Sequence, residues 1–269
     1  METISTVEEL RSIQLEILLS LHEFCTKNNI NYSLAAGSLI GAIRHKGFIP
    51  WDDDIDVYLL RADYKKLEEL FPVIFQNKYS LVTINRDSQW TRPYGKLYDN
   101  RTIEEEDVTN KYTIGVGIDV FPVDDVPDDL NEWKSFEKKR RFWRDFTTLK
   151  SMTFSKQRSL SKNLFLMASR CITSFISFGY LTKKMDRLSQ SNNQKGYMHV
   201  YENCPGVYNS KHPWLKRDME EFIEASFEGH KVSIMRGYDD YLKTVYGNYM
   251  QLPPVEKRVS THTIKAFWK

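Results

Sequence analysis

The chain has 269 residues, 41% of them apolar, with 38 Lys and Arg against 36 Asp and Glu for a formal net charge of +2. That composition excludes a disordered, collagen-like or disulfide-scaffold chain, and the near-zero balance argues against a general nucleic-acid binder. Three cysteines without a CxxC spacing, Cys25, Cys171 and Cys204, give no disulfide framework or Cys-rich zinc site and point to a reducing, cytoplasmic compartment.

The first residues lack the basic and apolar regions of a signal peptide, so no leader is expected. Leu10, Ile13, Ile17, Leu18, Leu21 and Phe24 fall at helical spacing, which predicts a helix over 7–27 capped by Ser5 or Thr6. A short strand is expected at 32–36, stopped by Gly37-Ser38, with a short helix at 39–44 and a loop over 46–50. Next come a strand at 55–60 and a helix at 62–70 that ends before Pro72. Further strands are predicted at 79–84, 94–98 and 114–121. From 131 to 187 the sequence is long, basic and helix-compatible. The stretch 164–181 within it is rich in Leu, Phe, Ile and Met but interrupted by Arg170, so it reads as a buried helix and not a membrane span. After Gly196 the pattern is irregular, with short runs near Val207-Tyr208 and over 227–234, and a last helix over 238–246 ending at Gly247. The fold class is therefore α+β (α/β): a mixed sheet with flanking helices and an added helical, basic region. The expected division is a catalytic core at 1–130, a basic helical part at 131–195, and a C-terminal part at 196–269 that completes the site.

The densest chemical signal is Trp51-Asp52-Asp53-Asp54-Ile55-Asp56-Val57. In a strand, residues i and i+2 project from one face about 7 Å apart. Asp54 and Asp56 would then stand together while Ile55 and Val57 face the core. Two carboxylates so placed raise one another's pKa, and a hard divalent cation relieves the repulsion. Asp119, flanked by the apolar Ile118 and Val120, supplies a third carboxylate on a later strand. Upstream, the Gly37-Ser38 turn opens a helix whose N–H groups can hold a phosphate. A Gly-Ser turn, a D-x-D strand and a later Asp together resemble the nucleotidyltransferase-like fold, in which three carboxylates hold metal against a nucleotide's phosphates.

The longer segment from Ala36 through Arg44, His45 and Trp51 to Asp56 resembles the LicD family of phosphotransferases. So do Gly95-Lys96-Leu97-Tyr98-Asp99, Ile118 to Asp124, and Tyr246 to Pro254 with His262 after it. The resemblance implies a CDP-alcohol-dependent phosphotransferase that moves phosphocholine, or a related alcohol phosphate, to a hydroxyl of a glycan. The acceptor would be a teichoic-acid or lipopolysaccharide precursor, free or lipid-linked, and CMP would be released. It implies Asp54, Asp56 and Asp119 as catalytic ligands of Mg²⁺ or Mn²⁺, and Gly37 and Ser38 as the phosphate-contacting turn. Arg44 and Lys96 become contacts to the donor pyrophosphate, with His45 and Asp53 in supporting positions and Asp119 or, more remotely, His262 as base. CDP-choline needs an aromatic box for its ammonium, for which Trp90, Tyr94, Tyr98, Tyr208 and Trp214 are the candidates.

Two other classes compete. The same carboxylates serve a nucleotidyltransferase that attaches NMP from an NTP to a sugar or small molecule and releases pyrophosphate. An Asp-rich, non-catalytic cation binder would hold metal without turnover, although the run lacks the spacing of a calcium loop. The net charge is a near-cancellation. Residues 131–187 carry 14 Lys and Arg against 4 Asp and Glu, a surface suited to anionic headgroups at the inner face of the plasma membrane. Salt-sensitive use of the acceptor, without salt-sensitive donor hydrolysis, would mark such a peripheral contact.

Overall fold

The computed structural model of the protein describes residues 2–105, 113–151, 174–202, 213–259 and 265–269, together with Ser159, Ser161 and Met167. In chain order the strands are β1 (Glu2–Ile4), β2 (Ser33–Leu34), β3 (Asp56–Leu60), β4 (Tyr79–Val82), β5 (Gly95–Asp99), β6 (Thr102–Glu105), β7 (Gly117–Val126), β8 (His199–Glu202), β9 (Trp214–Leu215), β10 (Phe222–Phe227), β11 (His230–Met235) and β12 (Lys265–Trp268). The α-helices are α1 (Val7–Lys27), α2 (Ala36–Ile40), α3 (Arg61–Leu70), α4 (Leu130–Ser151), α5 (Phe178–Gln190) and α6 (Tyr238–Tyr246).

A seven-stranded mixed sheet runs β2-β3-β7-β5-β4, with β8 and β9 continuing it from the far half of β7. The β3–β7 pair is parallel and the other neighbours are antiparallel. This is the expected α+β class. β7 is the spine, and it runs five residues past the predicted end, through Pro122. On one edge β5 pairs with Gly117–Val120 and β8 with Val123–Val126, so Phe121 and Pro122 fall where the partner changes. A proline that cannot donate to a ladder is tolerated at such a gap.

Helix α1 packs against β5 and β7. Leu10, Ile13, Ile17, Leu18, Leu21 and Phe24 are all buried, in one core with Ile55, Val57, Ile118 and Val120. Full burial of each large apolar side chain contributes about 1.5–3 kcal/mol, so packing outweighs intrinsic helix propensity here. The cap is Thr6, whose Oγ1 accepts from the Glu9 N–H at 3.1 Å.

The region 36–45 departs from the expected strand-turn-helix. Helix α2 begins at Ala36, in left-handed backbone with φ 44°, and passes into a π-helical turn over Gly41–His45. That turn ends at Lys46, also left-handed with φ 61°. The run at 227–234 is the inner part of the β10–β11 hairpin, whose turn is Glu228-Gly229, a segment in which only the second strand alternates enough to be seen. The last helix spans Tyr238–Tyr246 and stops at Gly247 as expected.

Within the basic stretch α4 and α5 are helical and pack on each other. Half of 164–181 lies outside the described residues, as do Cys171, Cys204, the Val207-Tyr208 run and His262. No helix among the described residues is long and apolar enough to cross a membrane.

Candidate functional site

Asp56 is the first residue of β3 and lies directly opposite Asp119 of β7 in the parallel register. Neighbouring strands are about 4.8 Å apart, which brings the two carboxylates side by side. The Asp119 N–H donates to the Ile55 carbonyl at 3.0 Å, fixing that register where β3 begins. Asp54 precedes the strand, so only half of the D-x-D pair is in extended ladder structure. Its charge still reaches Asp56. The Asp56 carboxyl is held well above the ordinary carboxylate range, first by burial, then by Asp54, Asp119 and Asp52, while Lys96 pulls it down. Ile55, Val57, Ile118 and Val120 are fully buried beside them, as the alternation predicts.

The loop that delivers these aspartates is held by α1. Arg11 Nε donates to the Asp52 carbonyl at 3.1 Å, and its Nη2 donates to the carbonyls of Ile49, Pro50 and Asp52 at 3.0, 3.0 and 2.6 Å. Gln14 Nε2 donates to the carbonyl of Asp53 at 2.9 Å. Asp53 is thus a buried loop residue anchored through its backbone. From the other side Glu228 Oε1 accepts the Phe48 N–H at 2.9 Å, and the Glu228 N–H donates to the Lys46 carbonyl. Nothing in the sequence singled out Arg11. On an amphipathic helix its place reads as solvated, and its partners are carbonyls some 40 residues away. Arg11→Ala is expected to lower kcat/KM about tenfold, or ~1.4 kcal/mol of transition-state positioning, with Arg11→Lys recovering only part. Steady-state kinetics on the folded variants check this, and unchanged kcat/KM in Arg11→Ala would refute the clamp.

Gly37 and Ser38 flank the cluster. A Cβ on Gly37 would meet Asp52 Oδ2 at 2.5 Å, so the helix and the aspartate loop touch here without a side chain between them. Ser38 is buried and its Oγ accepts the Asp56 N–H at 2.9 Å, which positions the start of β3. Lys96, on β5 opposite Asp119, is buried and its Nζ reaches Glu104 at 3.0 Å. Arg44 does not pair with the aspartates. Its Nη1 donates to the Tyr249 carbonyl at 2.6 Å, and its Nε to His45 Nε2 at 2.9 Å. Burial and then the Arg44 charge hold the His45 imidazole below its usual pKa. The His45 ring meets Trp51 edge-on.

Beside the cluster opens a cleft of about 380 Å³, reached from Gly37, Asp52 and Arg44 and walled by Trp51 and Tyr249. Of the expected aromatic box, Trp90 and Trp214 are buried core rings and Tyr94 packs on Phe121 at 4.5 Å, while Tyr208 is outside the described residues. Part of the basic run is also engaged. Arg140 stacks on Tyr201 at 4.5 Å and donates to the Glu202 carbonyl.

The metal question turns on the donor set. Among the described residues no three His, Cys, Asp or Glu side chains are gathered closely enough to cage an ion by themselves. Mg²⁺ does not require such a cage. It binds through one or two carboxylates together with substrate phosphates and water. Asp56 and Asp119, crowded by like charge, fit that donor set.

Residues 29–170 match the family described as LicD/FKTN/FKRP, nucleotidyltransferase domain. The chain is 31% identical over 273 aligned positions to the lipopolysaccharide cholinephosphotransferase LicD of Haemophilus influenzae, covering 97% of this chain and 98% of that one. It is also 39% identical over 66 residues to an uncharacterized protein of Rickettsia prowazekii, covering 24% of this chain and 25% of that one.

Proposed function

The chain belongs to the LicD family, and from that premise we propose that it is a metal-dependent phosphotransferase. It moves phosphocholine, or a related alcohol phosphate, from a CDP-activated donor to a hydroxyl of a cell-surface glycan such as lipopolysaccharide. The observation that carries the reading is Asp56 set directly against Asp119 in the parallel register, with Asp54 and Asp52 within electrostatic reach and a cleft alongside.

Asp56 and Asp119, with Asp54 contributing, would hold Mg²⁺ or Mn²⁺, which when bound neutralises phosphate charge and orients an in-line displacement. The acceptor oxygen forms a bond to the phosphorus that carries the alcohol, the bridging P–O bond breaks, and CMP departs with that electron pair. Asp119, partly buried at the strand face, would take the hydroxyl proton. Ser38 fixes where β3 begins, and Lys96 beside Asp119 offsets carboxylate repulsion.

Purified protein offered CDP-choline, CDP-ribitol and CDP-glycerol is expected to release CMP in a glycan-stimulated, EDTA-sensitive reaction. Full turnover in excess EDTA would remove the metal. Pyrophosphate release from CTP, with no CMP from any CDP-alcohol, would replace the reading with nucleotidyl transfer. Metal binding with neither product would leave a cation-binding protein.

A further inference from the structure

The C-terminal segment after α6 has no part in the aspartate cluster, yet it builds one wall of the cleft. Tyr249, Pro253, Lys257 and Val259 line that wall, facing Arg44 and Trp51. Arg258 lies over the Trp51 ring at 5.6 Å and donates from Nε to the Pro253 carbonyl at 2.8 Å. Two cations, Arg44 and Lys257, therefore line one cleft, with a third, Arg258, against its Trp51 wall, and the side-chain contacts of the three among the described residues are carbonyls, an imidazole and a ring. Arg44 reaches the carbonyls of Tyr249 and Gln251 and His45 Nε2, and neither it nor Lys257 or Arg258 forms an ion pair with a described carboxylate. The Arg44 guanidinium holds its proton less firmly than usual, because of burial first and the Arg258 charge second. Asp52 is the single carboxylate among the described lining residues, and it sits at the end next to Asp56.

Like charges gathered on a concave surface favour an anion and repel a cation. That sign decides which half of a CDP-alcohol the cleft can take. A quaternary ammonium seeks ring faces free of competing cations, whereas here Arg258 already covers Trp51. A diphosphate carries the complementary charge, and arginine and lysine are its usual partners. The volume falls at the lower end of small-molecule clefts, about 300–1,000 Å³.

We propose that this cleft seats the nucleoside diphosphate half of the donor, with Lys257 and Arg258 of the C-terminal segment closing over its phosphates opposite Arg44. The transferred alcohol then lies outside it, past Asp52 and the carboxylate pair. This rests on the donor reading above and adds to it a specificity surface supplied by a segment some 200 residues from the aspartates.

Binding of CDP, CMP and phosphocholine to the full chain is measured by titration calorimetry in wild type, Lys257→Ala, Arg258→Ala and the charge-matched control Lys231→Ala. Lys231 is exposed and paired with Glu224 on the β10–β11 hairpin. CDP affinity is expected to fall about tenfold in each of the first two variants, with Lys231→Ala unchanged. Phosphocholine binding should not weaken in any of them. Because Arg258 also braces Trp51, the exposed Lys257 provides the cleaner variant. CDP binding unaltered in Lys257→Ala while CMP release from a CDP-alcohol continues in wild type would overturn the inference and leave the proposed function standing. An equal loss in Lys231→Ala would overturn it by showing only a general charge effect. Wild type that neither binds CDP nor releases CMP would overturn both.

Discussion

Asp56→Asn is expected to reduce turnover by roughly three orders of magnitude, about 4 kcal/mol of transition-state stabilisation, while leaving the protein folded and, without metal, more stable. Both halves follow from one arrangement. The buried Asp56 carboxyl faces Asp119 across the parallel ladder, with Asp54 and Asp52 adding negative charge. The Asn amide has nearly the same shape as the carboxyl and leaves the backbone N–H of residue 56 free to donate to Ser38 Oγ, but it is a poor metal ligand and carries no charge to repel. The pH dependence has a definite sign. In the metal-free protein the folded state raises the Asp56 pKa, so that state holds a proton the unfolded chain has released. Its contribution is full below the ordinary carboxylate pKa and is lost as pH rises through the elevated folded value. Asp56→Asn removes that loss. Thermal unfolding in EDTA across pH, beside single-turnover kinetics with metal, reads both. An inactive variant that is also unfolded would make Asp56 a structural residue, and near-normal turnover would remove it from the site.

The largest expected effect on stability lies elsewhere, at Arg61. Its guanidinium is buried between two carboxylates. It bonds Asp124 through Nη2 at 2.5 Å and Nε at 2.8 Å, and Asp186 through Nη1 at 2.9 Å. Asn193 Nδ2 donates to Asp124 Oδ1, which also accepts from Arg61 Nε, at 2.7 Å, and its Oδ1 accepts the Asp125 N–H at 2.8 Å. This network ties α3, β7 and α5 together behind the sheet. Burial alone would weaken the guanidinium's hold on its proton, but the bonds from Asp124 and Asp186 raise its pKa beyond the usual range. Arg61→Leu strands both carboxylates and should cost about 3–5 kcal/mol, equivalent to a fall in Tm on the order of 10 °C at this chain length. Replacing Asp124 and Asp186 by Leu as well should recover much of it, because apolar packing removes the buried charge. Denaturant titration of the single and triple variants distinguishes charge stranding from lost volume. Equal deficits in both would mean that volume dominates.

How much of this could be read from residues alone depended on whether the cause was local. The α1 stripe, the Tyr238–Tyr246 helix and the burial of Ile118 and Val120 around Asp119 follow from periodicity, and the structure contains them. The pairing of Asp56 with Asp119 was legible only as two carboxylates on two strands. Their side-by-side register is set by tertiary hydrogen bonding across 63 positions. The rest had no local trace. Arg11 bonds carbonyls, which every residue possesses, so no partner type could betray it. The π-helical turn at Gly41–His45 looks like any helix start until the Glu228 hairpin holds the loop beyond it. Lys96 reads as a free cation, yet Glu104 engages it. The run of β7 through Pro122 left no local trace either, because the gap between β5 and β8 is a property of the sheet and not of the segment.

The position of β7 as the neighbour of β3 also has a kinetic side. Strands β4, β5 and β6 intervene along the chain before β7 closes against β3. Parallel pairing of distant segments forms late, since loop-closure entropy must be overcome before the contacts contribute. A cation held by Asp56 and Asp119 would therefore find no binding site in the folding transition state. It should slow unfolding while leaving the folding rate nearly unchanged. Stopped-flow refolding and unfolding with and without Mg²⁺ would show this as a shift in one arm of the chevron. An equal acceleration of folding would place the two strands together early, at the nucleus.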